Sequence, residues 1–491
     1  MKGDFTRFTF DPRNHYVRVL MQQGRVQLDA DWNEQAGILL HYLQTLARDL
    51  IGDHGGPLLG ELGFGITPDG DGTFTISPGH YYVDGILCEN DEKMDAEGVP
   101  IAVTYTSQPD YPAPPPLPDT PPYLVYLDVW ERHVTYIQDD HIREVALGGP
   151  DTATRAKVVW QVKATDKTGD GDGTLIKDAH EAGTPWRDWV QADWDKWVGS
   201  WQPKHRGWLK AKSKEDPKED TDPCITPPDA RYRGAENQLY RVEIHRKGSA
   251  WDGTVDEKGN PAGNAQTAAT CKWSRDDGSV VFPILKLADS DGTTTVELAH
   301  LGRDNDASLQ PGDWVEIVDD EYDLKHRAEP LLKVISVDRV DMRVTLEGKP
   351  SSPVGQNPAQ HPLLRRWDHR AGAAEIGGLQ LHEGAALIRE SSDAVDWLVL
   401  EDGVQVQFQT PKSGAPENTY RSGDYWLIPA RTATGDVEWP KEKDKEGKDQ
   451  PAALTPHGVQ HHYAPIAIVD PSEPNGVADL RRKFNLVWDD S

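Results

Sequence analysis

The clearest periodic pattern in the chain lies near its start. Apolar residues recur there at alternating steps of four and three, the spacing of a heptad seam. Asp29 and Asp31 precede the pattern and can cap a helix, with Glu34 three residues after Asp31 as in a capping box. The pattern predicts a helix that runs to about Leu50, with one apolar edge formed by Trp32, Ala36, Leu39, Leu43, Leu46 and Leu50.

Two interpretations of this apolar edge stay open. It can be the seam of a short parallel helical bundle between subunits, in which case the six residues form an oligomer interface. It can equally belong to one amphipathic helix that lies on a sheet of its own chain. The pattern spans fewer than three heptads, which is too short to decide between them.

Short alternating segments separated by Gly- and Pro-containing turns dominate the rest of the chain and indicate β-strands. A meander over residues 311–348, entered by Pro311-Gly312-Asp313, predicts a small SH3-like or OB-like barrel. Residues 183–225 differ, because tryptophans at helical spacing predict an amphipathic helix followed by a charged loop. The fold class is therefore mainly β and multi-domain. It combines an N-terminal amphipathic helix, small β-sandwich or barrel modules and one Trp-rich helical insert.

Shifts in composition divide the chain into seven predicted segments. The Pro-rich stretch 109–122 is the best candidate for a linker. The last segment contains a charged loop at 440–451 and a short basic terminal helix at Val477–Leu486. The segments are 1–52 (attachment or oligomerisation), 53–108 (small β unit), 109–122 (linker), 123–182 (β domain), 183–225 (Trp-rich insert), 226–350 (β domain with the barrel) and 351–491 (C-terminal β domain).

Charge and hydropathy exclude several classes of partner. The 491 residues include 52 Lys and Arg against 81 Asp and Glu, a net charge of −29. Such an acidic chain repels phosphate backbones and anionic headgroups, so neither nucleic acid nor a membrane surface is expected as a partner. The mean hydropathy is −0.66, and no apolar run is long enough for membrane insertion. The opening MKGDFTRFTF has no apolar signal core, which predicts synthesis in the cytoplasm without a signal peptide.

The search for reactive groups predicts no catalytic residue, metal site or cofactor. The loop from Asp166 resembles a calcium loop through Asp170 and Gly171, but Lys177 stands where a bidentate Glu is required. His457, His461 and His462 form a dense group in an extended context that separates the last two. Nucleophile and phosphate-binding motifs are absent. KWSRDDGSVV (272–281) is distinctive and is interpreted as strand, turn and strand, with Asp276-Asp277-Gly278 as a hairpin turn.

The tryptophans of the insert allow a binding function. Exposed rings could stack on a cell-surface glycan, and the candidates are Trp186, Trp194, Trp197 and Trp201. Packing of one helix face against the protein is the competing interpretation. A carbohydrate- or receptor-binding module is thus one alternative function. A polysaccharide or cell-wall hydrolase is a second, and it requires a carboxylate pair with a raised pKa.

Four stretches carry a family resemblance. Met1–Gln35, Leu124–Lys163, Tyr232–His245 with Lys272–Val281, and Gly423–Trp439 together resemble an uncharacterised bacterial family associated with phage-tail-like extracellular contractile injection systems. More loosely, Gln23–Gln35 and Ser77–Gly85 resemble parts of phage baseplate and tail-fibre proteins.

The resemblance implies a structural component that is associated with the baseplate or that forms a fibre or surrounds a spike. It implies that the N-terminal helix attaches or trimerises the chain, so that the partners are other subunits, including copies of itself. It further implies assembly into a particle that is released from the cell.

Overall fold

The pattern of side chains along the strands agrees with the mainly β class predicted from the sequence. In the computed structural model, buried and solvent-facing residues alternate along strands such as Ile86–Asn90 and Tyr425–Arg431, as expected where one face of a sheet meets a core. The structure describes residues 1–58, 62–69, 72–147, 152–169, 173–181, 183–202, 206–214, 231–304, 306–373 and 377–484.

The secondary-structure elements are numbered in chain order. The helices are α1 (Asp29–Ile51), α2 (Ile176–Ala179), α3 (Trp186–Trp201) and α4 (Asp320–Leu324). The strands are β1 (His54–Pro57), β2 (Ile66–Pro68), β3 (Phe74–Ile76), β4 (Gly79–Val83), β5 (Ile86–Asn90), β6 (Lys93–Met94), β7 (Pro100–Ile101), β8 (Val103–Thr104), β9 (Tyr123–Val134), β10 (Arg155–Thr165), β11 (Leu209–Ser213), β12 (Gln238–Arg246), β13 (Thr270–Ser274), β14 (Val281–Ser290), β15 (Thr293–Leu298), β16 (Trp314–Val318), β17 (Leu332–Asp338), β18 (Arg343–Glu347), β19 (Leu363–Trp367), β20 (Leu381–His382), β21 (Ala385–Leu387), β22 (Leu398–Val399), β23 (Val404–Phe408), β24 (Tyr425–Arg431), β25 (Asp436–Val437), β26 (Lys441–Lys443), β27 (Asp449–Pro451), β28 (His462–Val469), β29 (Val477–Asp479) and β30 (Lys483–Phe484).

The chain divides into two units, and each unit collects three separate segments. The barrel unit consists of Met1–Phe8, Val134–Arg155 and His205–Gly458. The helix unit consists of Thr9–His133, Ala156–Lys204 and Val459–Ser491. The predicted domain boundaries follow the chain consecutively, because sequence patterns do not reveal which distant segments pair.

The barrel unit joins a closed barrel to a sheet. The barrel closes in the order β14-β15-β18-β17-β16-β19, which confirms the predicted barrel at residues 311–348 and extends it at both ends. Beside it lies a sheet in the order β20-β21-β13-β12-β24-β25. The hydrophobic core on this six-stranded sheet also includes residues of β11 and β23. The largest buried residues of this core include Tyr240, Phe408 and Trp426.

Two four-stranded sheets form most of the helix unit within the described residues. Their orders are β30-β1-β4-β5 and β10-β9-β28-β29. The long strands β9 and β10 are neighbours in the second of these sheets. The Pro-rich stretch 109–122 belongs to this unit, where Tyr111 is buried in the core and Asp110 pairs with Lys157 at 2.8 Å. It therefore does not act as a linker between the two units.

Two predictions for the C-terminal segment are wrong. Val477–Leu486 is predicted as a basic helix, but Val477–Asp479 and Lys483–Phe484 are the edge strands β29 and β30. The predicted charged loop 440–451 contains a hairpin, in which β26 pairs with β27. In both cases pairing with a neighbouring strand overrides the local preference of charged residues. No helix in the described part of the chain has the length and apolar character needed to cross a membrane.

The distinctive stretch 272–281 connects the sheet to the barrel. It is strand, turn and strand as predicted, but β13 and β14 belong to different sheets, so Asp276-Asp277-Gly278 is a crossover and not a hairpin turn. Asp277 adopts a positive φ of 50°, which Asp tolerates better than most residues. The next turn along the chain, Asp291-Gly292, is a hairpin turn that joins β14 to β15.

Lys272 on β13 is the centre of a buried charge network that joins sheet and barrel. Its Nζ lies 2.6 Å from Oε1 of Glu316 on β16 and 3.5 Å from Oε1 of Glu243 on β12. The Trp367 Nε1 donates to Glu316 at 2.9 Å, and the Tyr322 hydroxyl also donates to it. Burial disfavours the charged carboxylate, but the nearby Lys272 and the buried His245 hold the pKa of Glu316 at about 2.

Arg241 extends the same network toward the first residues of the chain. Its guanidinium contacts the carboxylates of Glu243 and Asp277, the latter at 3.0 Å, and lies 3.6 Å from the centre of the Tyr425 ring. Lys2 pairs with Glu243 at 3.1 Å, and the Gly3 N–H donates to Asp277. Each buried charge in this group therefore meets an opposite charge, as burial of ions requires.

Replacing Lys272 by Met tests the network. Removing one partner of a buried ion pair leaves an uncompensated charge, so the free energy of unfolding should fall by about 3–5 kcal/mol. Urea denaturation followed by tryptophan fluorescence measures it. Lys443→Met is the control, because Lys443 pairs with Asp449 on the surface, where such pairs contribute little. Equal stability of the two variants would contradict the role given to Lys272.

Candidate assembly surface on the N-terminal helix

Helix α1 confirms the predicted helix almost to the residue. It begins at Asp29 and ends at Ile51. Asp29 and Asp31 lie in the first turn and Arg48 in the last, which suits the helix dipole at both ends. The residue at the N-cap is Leu28, and the Asp31 carboxylate accepts its N–H from the third helical position. The predicted capping box of Asp31 with Glu34 is wrong, because Glu34 accepts the Thr9 hydroxyl instead.

One face of α1 is held by the preceding segment of the chain. Ala30 and Ile38 are buried. The Thr9 hydroxyl donates to Glu34 at 2.6 Å, and Oε1 of Gln35 accepts the Val19 N–H at 2.8 Å. These contacts fix which side of the helix faces the protein.

The far end of α1 rests on the turn between β4 and β5. Gly85 has a φ of +81°, and a Cβ on it would lie 2.1 Å from the Gln44 carbonyl oxygen. Only glycine permits this close approach of two backbones. The helix is therefore fixed at both ends, and it cannot rotate without losing these contacts.

The fixed orientation leaves the predicted seam in solvent. Ala36 is exposed, and the five large members of the seam are between 44% and 70% exposed, which are Trp32, Leu39, Leu43, Leu46 and Leu50. Leu40 and Tyr42, beside the seam, are exposed as well. Within the described residues, no sheet covers the apolar edge of α1, so its exposure does not support the interpretation in which the helix lies on a sheet of its own chain.

The size of this surface is that of an interface. Its seven large apolar side chains present on the order of 700 Å², at or above the roughly 300–600 Å² of the largest apolar patch on a typical monomer. A standard interface buries about 800 Å² on each partner. A small cavity of about 200 Å³ lies on the anchored side of α1, between Glu34, His41 and Tyr16, and falls below the size of most ligand pockets.

The tryptophans of α3 have a different environment. Trp186, Trp194 and Trp197 are buried against β9 and β28, in a cluster with Leu124 and Ile468. Trp201 is half-buried, with its ring stacked on Tyr126 at a centroid distance of 4.6 Å. These contacts support packing as the role of this helix face. Three of the four tryptophan rings that were candidates for glycan stacking are buried and are not available to a glycan.

The histidine group is divided between separate carboxylates. Nδ1 of His461 lies 2.7 Å from Asp128, and Nδ1 of His462 lies 2.7 Å from Asp84. Burial lowers the pKa of His457. Within the described ranges no three His, Cys, Asp or Glu side chains gather as metal ligands would. Asp170 and Gly171 of the candidate calcium loop lie outside the described residues.

The carboxylates of the barrel unit whose pKa values are raised include Glu401 and Asp276, and the sequence did not reveal these shifts. Burial, with the nearby Asp368 carboxylate, raises the pKa of Glu401 to about 7 and that of Asp276 to about 6. Arg275 binds Glu401 at 2.8 Å, and the Tyr240 hydroxyl donates to it at 3.2 Å.

Such values occur at structural as well as catalytic carboxylates. Among 81 acidic residues no sequence pattern singles out Glu401, because the groups that perturb it come from distant segments. Asp276 lies within the distinctive stretch 272–281, and this stretch is the sequence feature that could have pointed to it.

Glu401→Gln tests this electrostatic environment. The folded state raises the pKa of Glu401 above its ordinary 4.5, so the protonated carboxyl contributes stability that is present in full below about pH 4.5. This stability is lost as the pH rises to about 7 and changes little above that. The wild-type melting temperature should therefore fall more between pH 5 and pH 8 than that of Glu401→Gln. Calorimetry measures both. Identical pH dependence would show that Glu401 titrates normally.

Comparison with known proteins gives one match. The family of unknown function DUF6519 matches residues 1–185 and 206–477. The unmatched stretch between them contains α3, so the Trp-rich helix lies outside the matched segments. Neither the curated proteins nor the solved structures give a match. Because the match covers most of the sequence, including α1 and the barrel, the chain belongs to the DUF6519 family.

Proposed function

We propose that this protein is a structural subunit of a phage-tail-like contractile injection particle and that its copies assemble through helix α1. The observation that carries the assembly is the solvent-exposed seam from Trp32 to Leu50. The particle itself rests on the resemblance of Met1–Gln35 and the later stretches. In this proposal the subunit is synthesised in the cytoplasm. Any later release from the cell occurs as part of the assembled particle.

The seam suits a parallel bundle of identical helices. Leu43 and Leu50 occupy a positions, and Trp32, Leu39 and Leu46 occupy d positions, so copies in register bring like residues together. Leu40 and Tyr42 flank these positions and widen the apolar face beyond the narrow stripe of a two-stranded coil. The width favours three helices over two.

Electrostatics sets a requirement that this surface meets. Copies that each carry −29 charges repel one another, and the repulsion is screened by salt. Burial of apolar surface contributes roughly 25 cal/mol per Å². The face from Trp32 to Leu50 has no acidic side chain among its a and d residues, so its burial adds little to the repulsion.

Multi-angle light scattering on the full chain tests the proposal. The wild type should have about three times the monomer mass of 54.6 kDa. Leu39→Glu with Leu43→Glu places two charges in the seam and should give a monomer, since burying unpaired carboxylates is costly.

The matched control adds the same two charges elsewhere. Val340 and Val395 are strongly exposed on the barrel unit, so Val340→Glu with Val395→Glu should leave the mass of the wild type unchanged. A monomeric wild type at high concentration would refute assembly through this helix. An oligomer that survives in the seam variant would place the interface elsewhere.

A further inference from the structure

The segment before α1 is extended and exposed. We call residues Tyr16–Gln27 the arm; they form neither helix nor strand. Five of its large apolar side chains are between 53% and 82% exposed, and they are Tyr16, Val17, Leu20, Met21 and Val26, whereas Val19 is half-buried. Tyr-Val-Arg-Val-Leu-Met at its start has the aromatic and β-branched character of a strand.

The backbone of the arm is also largely unpaired. Within the described residues, the arm's backbone N–H groups with a partner are those of Val19, which donates to Gln35, and Arg25, which donates to the Gln22 carbonyl. An extended segment with free N–H and C=O groups is what a strand presents before it joins a sheet. Apolar side chains on such a segment need a cover, because exposed unpaired strands are prone to association.

The charge of the arm is opposite to that of the whole chain. Residues 12–28 contain three arginines and no acidic residue, whereas the whole chain carries −29. Arg13 is bound to Asp11 at 2.7 Å. Arg18 and Arg25 are exposed, and neither has a carboxylate partner in the part of the chain that the structure describes.

We propose that the arm adds as a β-strand to a sheet edge of a second copy of this chain, with Arg18 and Arg25 against acidic side chains of that copy. Strand addition satisfies the free backbone groups and buries alternate side chains. Charge complementarity favours a second copy as the partner, because its surface is strongly acidic. The arm also leads directly into α1, so a copy that covers the seam lies next to it. The inference thus rests on the proposed assembly.

Hydrogen exchange on the full chain tests the arm. In the assembled wild type, amides of Val17, Arg18, Leu20 and Met21 should exchange at least about tenfold more slowly than in the monomeric Leu39→Glu, Leu43→Glu variant. If the wild type is an oligomer but its arm amides exchange at the rate of the monomer, the proposed strand addition of the arm is overturned. Assembly through α1 is not affected by that result. A monomeric wild type would overturn both.

Charge reversal tests the partner. Arg18→Glu with Arg25→Glu should raise the dissociation constant severalfold over the wild type at low salt. This ratio should shrink between about 50 and 300 mM salt, because salt screens the ionic contact of the arm. Arg339→Glu with Lys412→Glu makes the same change in charge at exposed positions of the barrel unit and should preserve the wild-type behaviour. The ionic contact with a second copy would be overturned by two results together. The arm amides would stay protected in the Arg18→Glu, Arg25→Glu variant, and its dissociation constant would depend on salt as that of the wild type does.

Discussion

Helix α1 keeps its apolar seam in water because its other face is already bound. Thr9 and Val19 hold its first half, and the Gly85 turn meets the Gln44 carbonyl near its end. If α1 rotated far enough to bury Leu39 or Leu43, it would lose these contacts. The helix would also be pressed against the turn at Gly85, where there is no free space. The proposed function starts from this constraint, since we propose that other copies of the chain cover the seam.

The interior of the barrel unit shows how a scaffold is made rigid with charged residues. Lys272, Glu316 and Glu243 connect β13, β16 and β12, so sheet and barrel share paired charges as well as apolar contacts. Removing Lys272 takes from Glu316 the cation that lies 2.6 Å from it, and such a loss in the interior is costly. These charged groups pair with one another in the interior, whereas the seam of α1 is exposed to solvent. The proposed function therefore rests on the exposed apolar surface and not on the buried charges.

The sequence predicted those elements that depend on residues close together in the chain. The heptad spacing predicted α1, although Leu28 and not Asp29 or Asp31 is its N-cap, and the turns around Pro311 predicted the barrel. Pairing between distant segments could not be predicted: β30 joins β1 across the whole chain, which turned a predicted terminal helix into strands. The stretch 272–281 stood out by composition, but the roles of Lys272 and Asp277 depend on Glu316 and Arg241. The exposure of the seam likewise depended on Gly85, which no periodicity in α1 reveals.

Cysteine cross-linking at Leu43 tests the account most directly. In a parallel bundle in register, equivalent a positions lie within disulfide reach, with Cα atoms about 6 Å apart. Mild oxidation of Leu43→Cys should therefore link two copies covalently, while Val340→Cys on the barrel unit stays largely unlinked. Cys88 and Cys271 are buried and should not contribute. If Leu43→Cys links no better than Val340→Cys, the copies do not meet along this helix.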